Sequence, residues 1–255
     1  MSTRAVPTSV RARAAGSLPQ PRLAWAYFFD IDGTLVDLAT APDKVRIGAE
    51  MRAIIDRLHE ATGGSVALVS GRSLEDIDRL YPGCRMPLSG QHGVELRDAN
   101  GVHRLATLDG RLLDRARATL TNAIAHRAGL MLEDKGYSLA LHYRQAPRLA
   151  AYAHGLMRAS QLELGGEFAV QRGKRVVELK PARAHKGEAV KQLMMLPSFA
   201  GRTPVFVGDD VTDEHGFATV NELGGHSMKV GKGKTIATWR VRDISELMKW
   251  LSRAL

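Results

Sequence analysis

A single cysteine, Cys84, in 255 residues cannot close a disulfide within the chain. That suits a reducing compartment, and the cytoplasm is the expected location. Aromatic residues make up only 5% of the sequence, and no dense stripe of Lys and Arg is interleaved with them. This argues against a nucleic-acid-binding surface. No apolar run reaches the length that spans a bilayer, and none has the form of a secretory h-region. Acidic residues are missing before Asp30, where Arg4, Arg11, Arg13 and Arg22 fall among Pro7, Pro19 and Pro21 without helical or strand period. Residues 1–24 therefore read as a mobile, Arg-rich leader. Its acid-free composition is that of a transit peptide, but it lacks an amphipathic helix and proline interrupts it.

What is present is ordinary globular material, with 44% apolar and 25% charged residues, enough to bury a sizeable core. The formal charge of +9 comes from 36 Lys and Arg against 27 Asp and Glu. An anionic small molecule suits that balance as well as a nucleic acid does. The expected partner is a small-molecule substrate, without nucleic acid or membrane, acting on a monomer.

Patterning divides the chain. Tyr27 to Phe29 is a short apolar strand, Ile47, Met51, Ile54, Ile55 and Leu58 follow at helical spacing, Gly63 and Gly64 break the helix, and VALVSGR at 66–72 is a second buried run. The same alternation returns late in the chain. Val190, Leu193 and Met194 mark a helix closed by Pro197, PVFVGDD at 204–210 is a buried strand, and Ile244, Leu247, Met248 and Leu251 mark a terminal helix. Such alternation predicts an α/β core with a parallel sheet, built from residues 25–108 and 183–255. Between them, residues 109–182 read as helix, hairpin, helix, hairpin, with turns near Asp134-Lys135-Gly136 and Arg172-Gly173-Lys174. That is an inserted α+β unit. The alternative is a decorated edge of one domain.

Chemistry gathers at the strand ends, where ligands of open parallel sheets bind. Three apolar runs end in reactive groups: Asp30 with Asp32, Ser70, and Asp209 with Asp210. Asp30 and Asp32 are two apart, and near-contact carboxylates repel unless a cation or shared proton relieves them. Mg²⁺ would do so, with Asp209 completing the oxygen set. A calcium loop fails on spacing, since the glycine of DIDG is fourth rather than sixth and the twelfth position is Ala41. A carboxylate beside such an ion can attack phosphorus, and a second can protonate the leaving oxygen and then activate water. Ser70 and Gly71 are candidate donors to phosphate oxygens, as is Lys186 at a helix start. The alternatives are a solvated first-turn lysine for Lys186 and a helix cap for Asp210.

DIDGT, the Ser70 strand end, Lys186 and GDDVTDE at 208–214 together resemble the four motifs of the haloacid dehalogenase superfamily. The resemblance implies a doubly wound, Rossmann-like core with an inserted cap domain, Asp30 as nucleophile, Asp32 as general acid/base, Ser70 and Lys186 as phosphate ligands, and Mg²⁺ held by Asp30, Asp32 and Asp209 with Asp213. Longer strings are similar to bacterial trehalose-6-phosphate phosphatases over about residues 25–252: SGRSLEDI, SGQHGVE, LEDKGYSLALHYR, KRVVELKP and GRTPVFVGDDVTDEHGF. This implies hydrolysis of trehalose 6-phosphate, with Glu133, Lys135 and Glu178 on the sugar and Gly71, Arg72, His92 and Arg144 as further substrate contacts. By residue type alone, Glu133 and Lys135 equally suit a cross-hairpin ion pair, and His92 a satisfied loop histidine. His185 departs from the family, which has a small polar residue before the lysine. The rival substrates are sucrose 6-phosphate, mannosyl-3-phosphoglycerate and hexose phosphates; a rival of another class is a non-catalytic basic protein that binds nucleic acid.

Overall fold

Strand β1 (Trp25–Phe29) is buried along its whole length. Its Trp25, Tyr27 and Phe29 enter one apolar cluster, and Ala26 and Phe28 enter another on the opposite side. A strand covered on both faces reads as an unbroken apolar run, and each large side chain removed from water contributes roughly 1.5–3 kcal/mol. The computed structural model describes residues 18–37, 46–104, 110–173 and 175–255. The first 17 residues of the stretch read as a leader lie outside that set. Residues 18–24 pack on the core: Trp250 Nε1 donates to the Pro19 carbonyl at 2.6 Å, and Tyr27 Oη donates to the Arg22 carbonyl at 2.8 Å.

The same two-sided burial holds for β2 (Val66–Val69) and β10 (Thr203–Gly208). One face is covered by α1 (Ala49–Ala61), α2 (Leu74–Leu80) and α7 (Ile244–Leu251), the other by α5 (Lys186–Leu193) and α6 (Glu214–Glu222). In α1, Met51, Ile54, Ile55 and Leu58 are the buried stripe, and Gly63 and Gly64 end it at φ +66° and +89°. With β3 (Leu88–Gly90), β4 (Glu95–Asp98), β5 (Gly101–Arg104), β11 (His226–Val230) and β12 (Trp239–Val241), these strands form an eight-stranded sheet in the order β12-β11-β10-β1-β2-β3-β4-β5. Pairing is parallel from β12 to β3 and antiparallel at β4 and β5. The expected α/β parallel sheet is thus present. From β1 the chain steps to β2 on one side and later returns to β10 on the other. A crevice opens where the direction reverses, at the carboxyl ends of β1 and β10.

A second sheet lies between. It is antiparallel, in the order β6-β7-β9-β8, from β6 (Met131–Asp134), β7 (Leu139–His142), β8 (Phe168–Gly173) and β9 (Val176–Pro181). Strict alternation sends Leu139, Leu141, Phe168, Val177 and Leu179 to one face, where α3 (Gly110–Ile124) and α4 (Ala150–Leu164) cover them with Leu113, Leu120, Ala153 and Met157. The opposite face carries a row in direct register, Glu133, Ala140, Glu178 and Gln171. Those polar residues are turned toward the crevice. No helix among the described residues is long and apolar enough to cross a membrane.

Candidate active site

Asp30 is the first residue beyond β1, and its N–H donates to the Val207 carbonyl of β10 at 2.9 Å. That bond fixes the carboxylate over the crevice floor, 4% exposed. Facing it is Lys186, the first residue of α5. His185 caps this helix, its Nδ1 accepting from the Glu188 N–H at 3.1 Å. Lys186 is 2% exposed, and its Nζ donates to Asp30 Oδ1 and to Asp213 Oδ1, both at 2.6 Å. This rules out the solvated first-turn lysine. Burial alone would lower the ammonium's pKa, but Asp213 and Asp30 outweigh it and hold it above its ordinary value.

Asp213 is wholly buried at the end of one 3-10 turn, Val211–Asp213, with Asp210 at the N-cap position. Its Oδ2 accepts from the N–H groups of Asp209 and Asp210, both at 2.9 Å. A Cβ on Gly208 would fall 2.3 Å from Asp213 Cγ, so this turn admits no side chain there. Gly33 has φ +81°, and a Cβ on it would lie 2.1 Å from Asp209 Oδ2. The turn after β1 therefore passes hard against Asp209.

Asp30, Asp209 and Asp213 each offer an oxygen, all within 4.8 Å of one another. Lys186 pairs with Asp30 and Asp213, which leaves the Asp209 carboxylate outside that ion pair. Burial, then the charge of Asp213, pushes the Asp30 carboxyl well above its ordinary range, against the pull of Lys186. Asp209 is pushed up to about 7 by burial, Asp213 and Asp210. Its Oδ1 is buried without a hydrogen-bond partner among the described residues. An all-oxygen set with excess negative charge and an orphaned carboxylate oxygen fits a hard divalent cation. The Asp32 carboxylate is not in this cluster. It accepts from both ends of the Arg72 fork, Nε at 2.7 Å and Nη2 at 2.6 Å, so its charge is relieved by arginine.

Similarity to known proteins agrees with this geometry. A sequence model described as trehalose-phosphatase matches residues 28–245, taking in Asp30, Lys186 and Asp213. The chain belongs to the trehalose-phosphatase family. It is 42% identical over 235 residues to the trehalose-6-phosphate phosphatase of Escherichia coli (strain K12), covering 91% of this chain and 87% of that one. It is 46% identical over 209 residues to a probable trehalose-phosphate phosphatase of Sinorhizobium fredii, covering 81% and 78%. Among solved structures, the C-terminal domain of C. albicans trehalose-6-phosphate phosphatase superposes with a TM-score of 0.78 at 23% identity, over 89% of this chain and 90% of that one. A haloacid dehalogenase-like hydrolase from B. subtilis superposes at 0.61 with 15% identity, over 90% of this chain and all of the other. These two likenesses concern the fold.

In this trehalose-phosphatase family member the remaining predicted residues fall into two groups. Ser70, at the end of β2, is 1% exposed; its Oγ accepts from the Arg72 N–H, and its carbonyl accepts from the His92 N–H at 2.9 Å. Gln91 and His92 take left-handed backbone angles, φ +46° and +59°, a strain that non-glycine residues carry only where the surroundings enforce it. The His92 ring lies over Gly71, where a Cβ would come within 2.6 Å of Cε1. Gly71 is thus required for packing the imidazole. His92 Nε2 reaches across to Glu178 Oε2 at 3.6 Å, and burial pushes its pKa down to about 4.

Glu178 also accepts from Ser138 Oγ at 2.6 Å and lies 3.6 Å from Lys135 Nζ. Burial opposes its ionisation, but His92, Lys135 and Ser138 together hold the carboxyl well below its ordinary range. Glu133 pairs with His142 Nε2 at 2.7 Å, and Lys135 faces Glu178, so the cross-hairpin pair of Glu133 with Lys135 gives way to two other pairs. Arg144 stands exposed on the turn after β7. Two buried lysines were missed. Lys180 donates to the Ala184 carbonyl, with its pKa pushed down to about 8 by burial; Lys229 donates to the Asp209 carbonyl. Alternation in VELKP puts Lys180 on the face of Glu178, a signal that was available.

Proposed function

We propose that this phosphatase hydrolyses trehalose 6-phosphate to trehalose and phosphate, with Asp30 as nucleophile and an inserted cap that reads the sugar. The carrying observation is the ammonium of Lys186 buried between Asp30 and Asp213 at the sheet's crevice, opposite a polar sheet face. Lys186 holds Asp30 and Asp213 by charge-assisted bonds and has its third N–H left to offer to a phosphoryl oxygen. Ser70 Oγ, at the neighbouring strand end, offers another donor. The Asp30 carboxylate attacks phosphorus, and the P–O6 bond breaks as Asp32, protonated, gives its proton to the sugar oxygen. Asp32, now a carboxylate, takes a proton from water as that water attacks the aspartyl phosphate, which restores both groups. Asp30, Asp209 and Asp213 would hold Mg²⁺; when bound, the ion offsets their excess charge and that of the phosphoryl oxygens.

Glu133, Lys135 and Glu178 supply strong acceptors and a donor for sugar hydroxyls on the cap face. His92 and Gln171 join that face to the core, with Gln171 Nε2 3.4 Å from His92 Nε2. Phosphate release from trehalose 6-phosphate, sucrose 6-phosphate, mannosyl-3-phosphoglycerate and glucose 6-phosphate tests the assignment. The expected result is the highest kcat/KM on trehalose 6-phosphate; a higher value on any other overturns it.

A further inference from the structure

The pairing of Arg72 with Asp32 is at odds with what the proposed reaction asks of Asp32. A carboxyl that accepts on both oxygens from one guanidinium, at 2.7 Å and 2.6 Å, has neither oxygen free to present a proton to a leaving group. Asp32 must therefore leave this pair before it can act. The two side chains sit at the mouth of the site, 16% and 33% exposed, whereas those of Lys186 and Asp30 are 2% and 6% exposed. Partly exposed ion pairs are weak, so a more highly charged ligand can displace one.

The arginine is placed for such an exchange. Its main chain is pinned, the N–H donating to Ser70 Oγ at 3.2 Å and the carbonyl accepting from the Gln91 N–H at 2.8 Å. Its side chain extends from that fixed base to Asp32, beside the hydroxyl proposed to bind a phosphoryl oxygen. A phosphate monoester offers the same pair of oxygens as a carboxylate, with more charge, and the planar fork fits both.

We propose that Arg72 is a partner-exchange clasp: without substrate it holds the Asp32 carboxylate, and an arriving phosphoryl group takes over its fork and frees Asp32 to take up a proton from solvent and pass it to the leaving oxygen. This rests on the reading of the site as a phosphoryl-transfer centre. It makes Arg72 a positioning residue for the acid/base as well as a phosphate contact, and it ties release of the acid to the presence of a substrate.

Competition between Asp32 and phosphate for one guanidinium is measurable without turnover. Inorganic phosphate is titrated calorimetrically into the metal-loaded protein and into Asp32→Asn, Arg72→Gln and the double variant. Asp32→Asn is expected to tighten phosphate at least about threefold more when Arg72 is intact than in the Arg72→Gln background, the coupling of two residues that share a contact. Equal tightening in both backgrounds would mean general repulsion by Asp32 and overturns the clasp; so does no tightening with Arg72 intact. Arg72→Lys, which keeps charge and loses the fork, stands in where Arg72→Gln does not fold, and the same reduced coupling is expected of it. Inorganic phosphate carries no sugar, so this cycle stands or falls separately from the substrate panel.

Discussion

Burial of Lys186 leaves its ammonium in direct contact with two carboxylates. Removing the Asp30 charge therefore separates chemistry from folding. Asp30→Asn keeps an oxygen to accept from Lys186 but loses the nucleophile: kcat should fall by about 10⁴-fold or more, with an unchanged or higher Tm because Lys186 keeps Asp213 and the lost charge is one that burial and Asp213 disfavour. Turnover at the ordinary rate would sink the covalent mechanism. Asp209 gives a pH prediction. Its folded pKa is about 7 against an ordinary 3.8, so between those values the folded state keeps a proton that the unfolded chain has released. In metal-free protein this group makes stability fall as pH rises from about 4 to 7 and stay level above. The Tm gained from millimolar Mg²⁺ should accordingly be larger at about pH 8 than at about pH 5.5, where protons compete with the ion. Equal gains at both would remove Asp209 from the ion. Asp30 and Lys186 were legible in sequence because each begins or ends a patterned element. The Asp32–Arg72 pair was not, since its partners are 40 residues apart and meet only through the fold.

Helix α5 shows how an element carries a site residue to its place. His185 accepts from the Glu188 N–H and closes the helix end at Lys186. Its ring stacks on His215 of α6, centroids 4.8 Å apart. His185→Ala should cost about 1 kcal/mol in urea unfolding, and His185→Ser, a preferred cap, should recover most of it. Equal losses in both variants would assign the effect to the ring contact instead of the cap. Legibility at this scale follows the alternation of apolar residues. The second sheet's strands were read from the turns that join them, and β1, β2 and β10 as apolar runs. In contrast β11, HSMKV, carries buried Ser227 and Lys229. Their partners, Thr238, Asn221 and the Asp209 carbonyl, are tertiary, so no local pattern marks that strand.

At the scale of the molecule, two sheets face each other across the crevice. The sequence changes pattern where helix and strand stop alternating, and the second sheet falls in that stretch; the antiparallel extension of the large sheet by β4 and β5 was not legible, because its register is set by β3. The contact between the sheets falls on Glu178, held from its own sheet by Ser138 and Lys135 and from the core by His92. In the proposed reading a sugar bound here takes over some of those partners, and the sheets part and close around it. Glu178→Ala should then lower kcat/KM on trehalose 6-phosphate by about 10²-fold or more, as expected when a site built for a hydroxyl loses its acceptor. On p-nitrophenyl phosphate, which has no hydroxyls to read, the loss should stay within about threefold, since Asp30, Ser70 and Lys186 are untouched. Glu133→Ala should follow the same split with a smaller loss, its carboxylate being more exposed and held by His142 at 2.7 Å. Equal losses on both substrates would mean that Glu178 serves by holding the sheets together, and the sugar would have to be read elsewhere on the polar face.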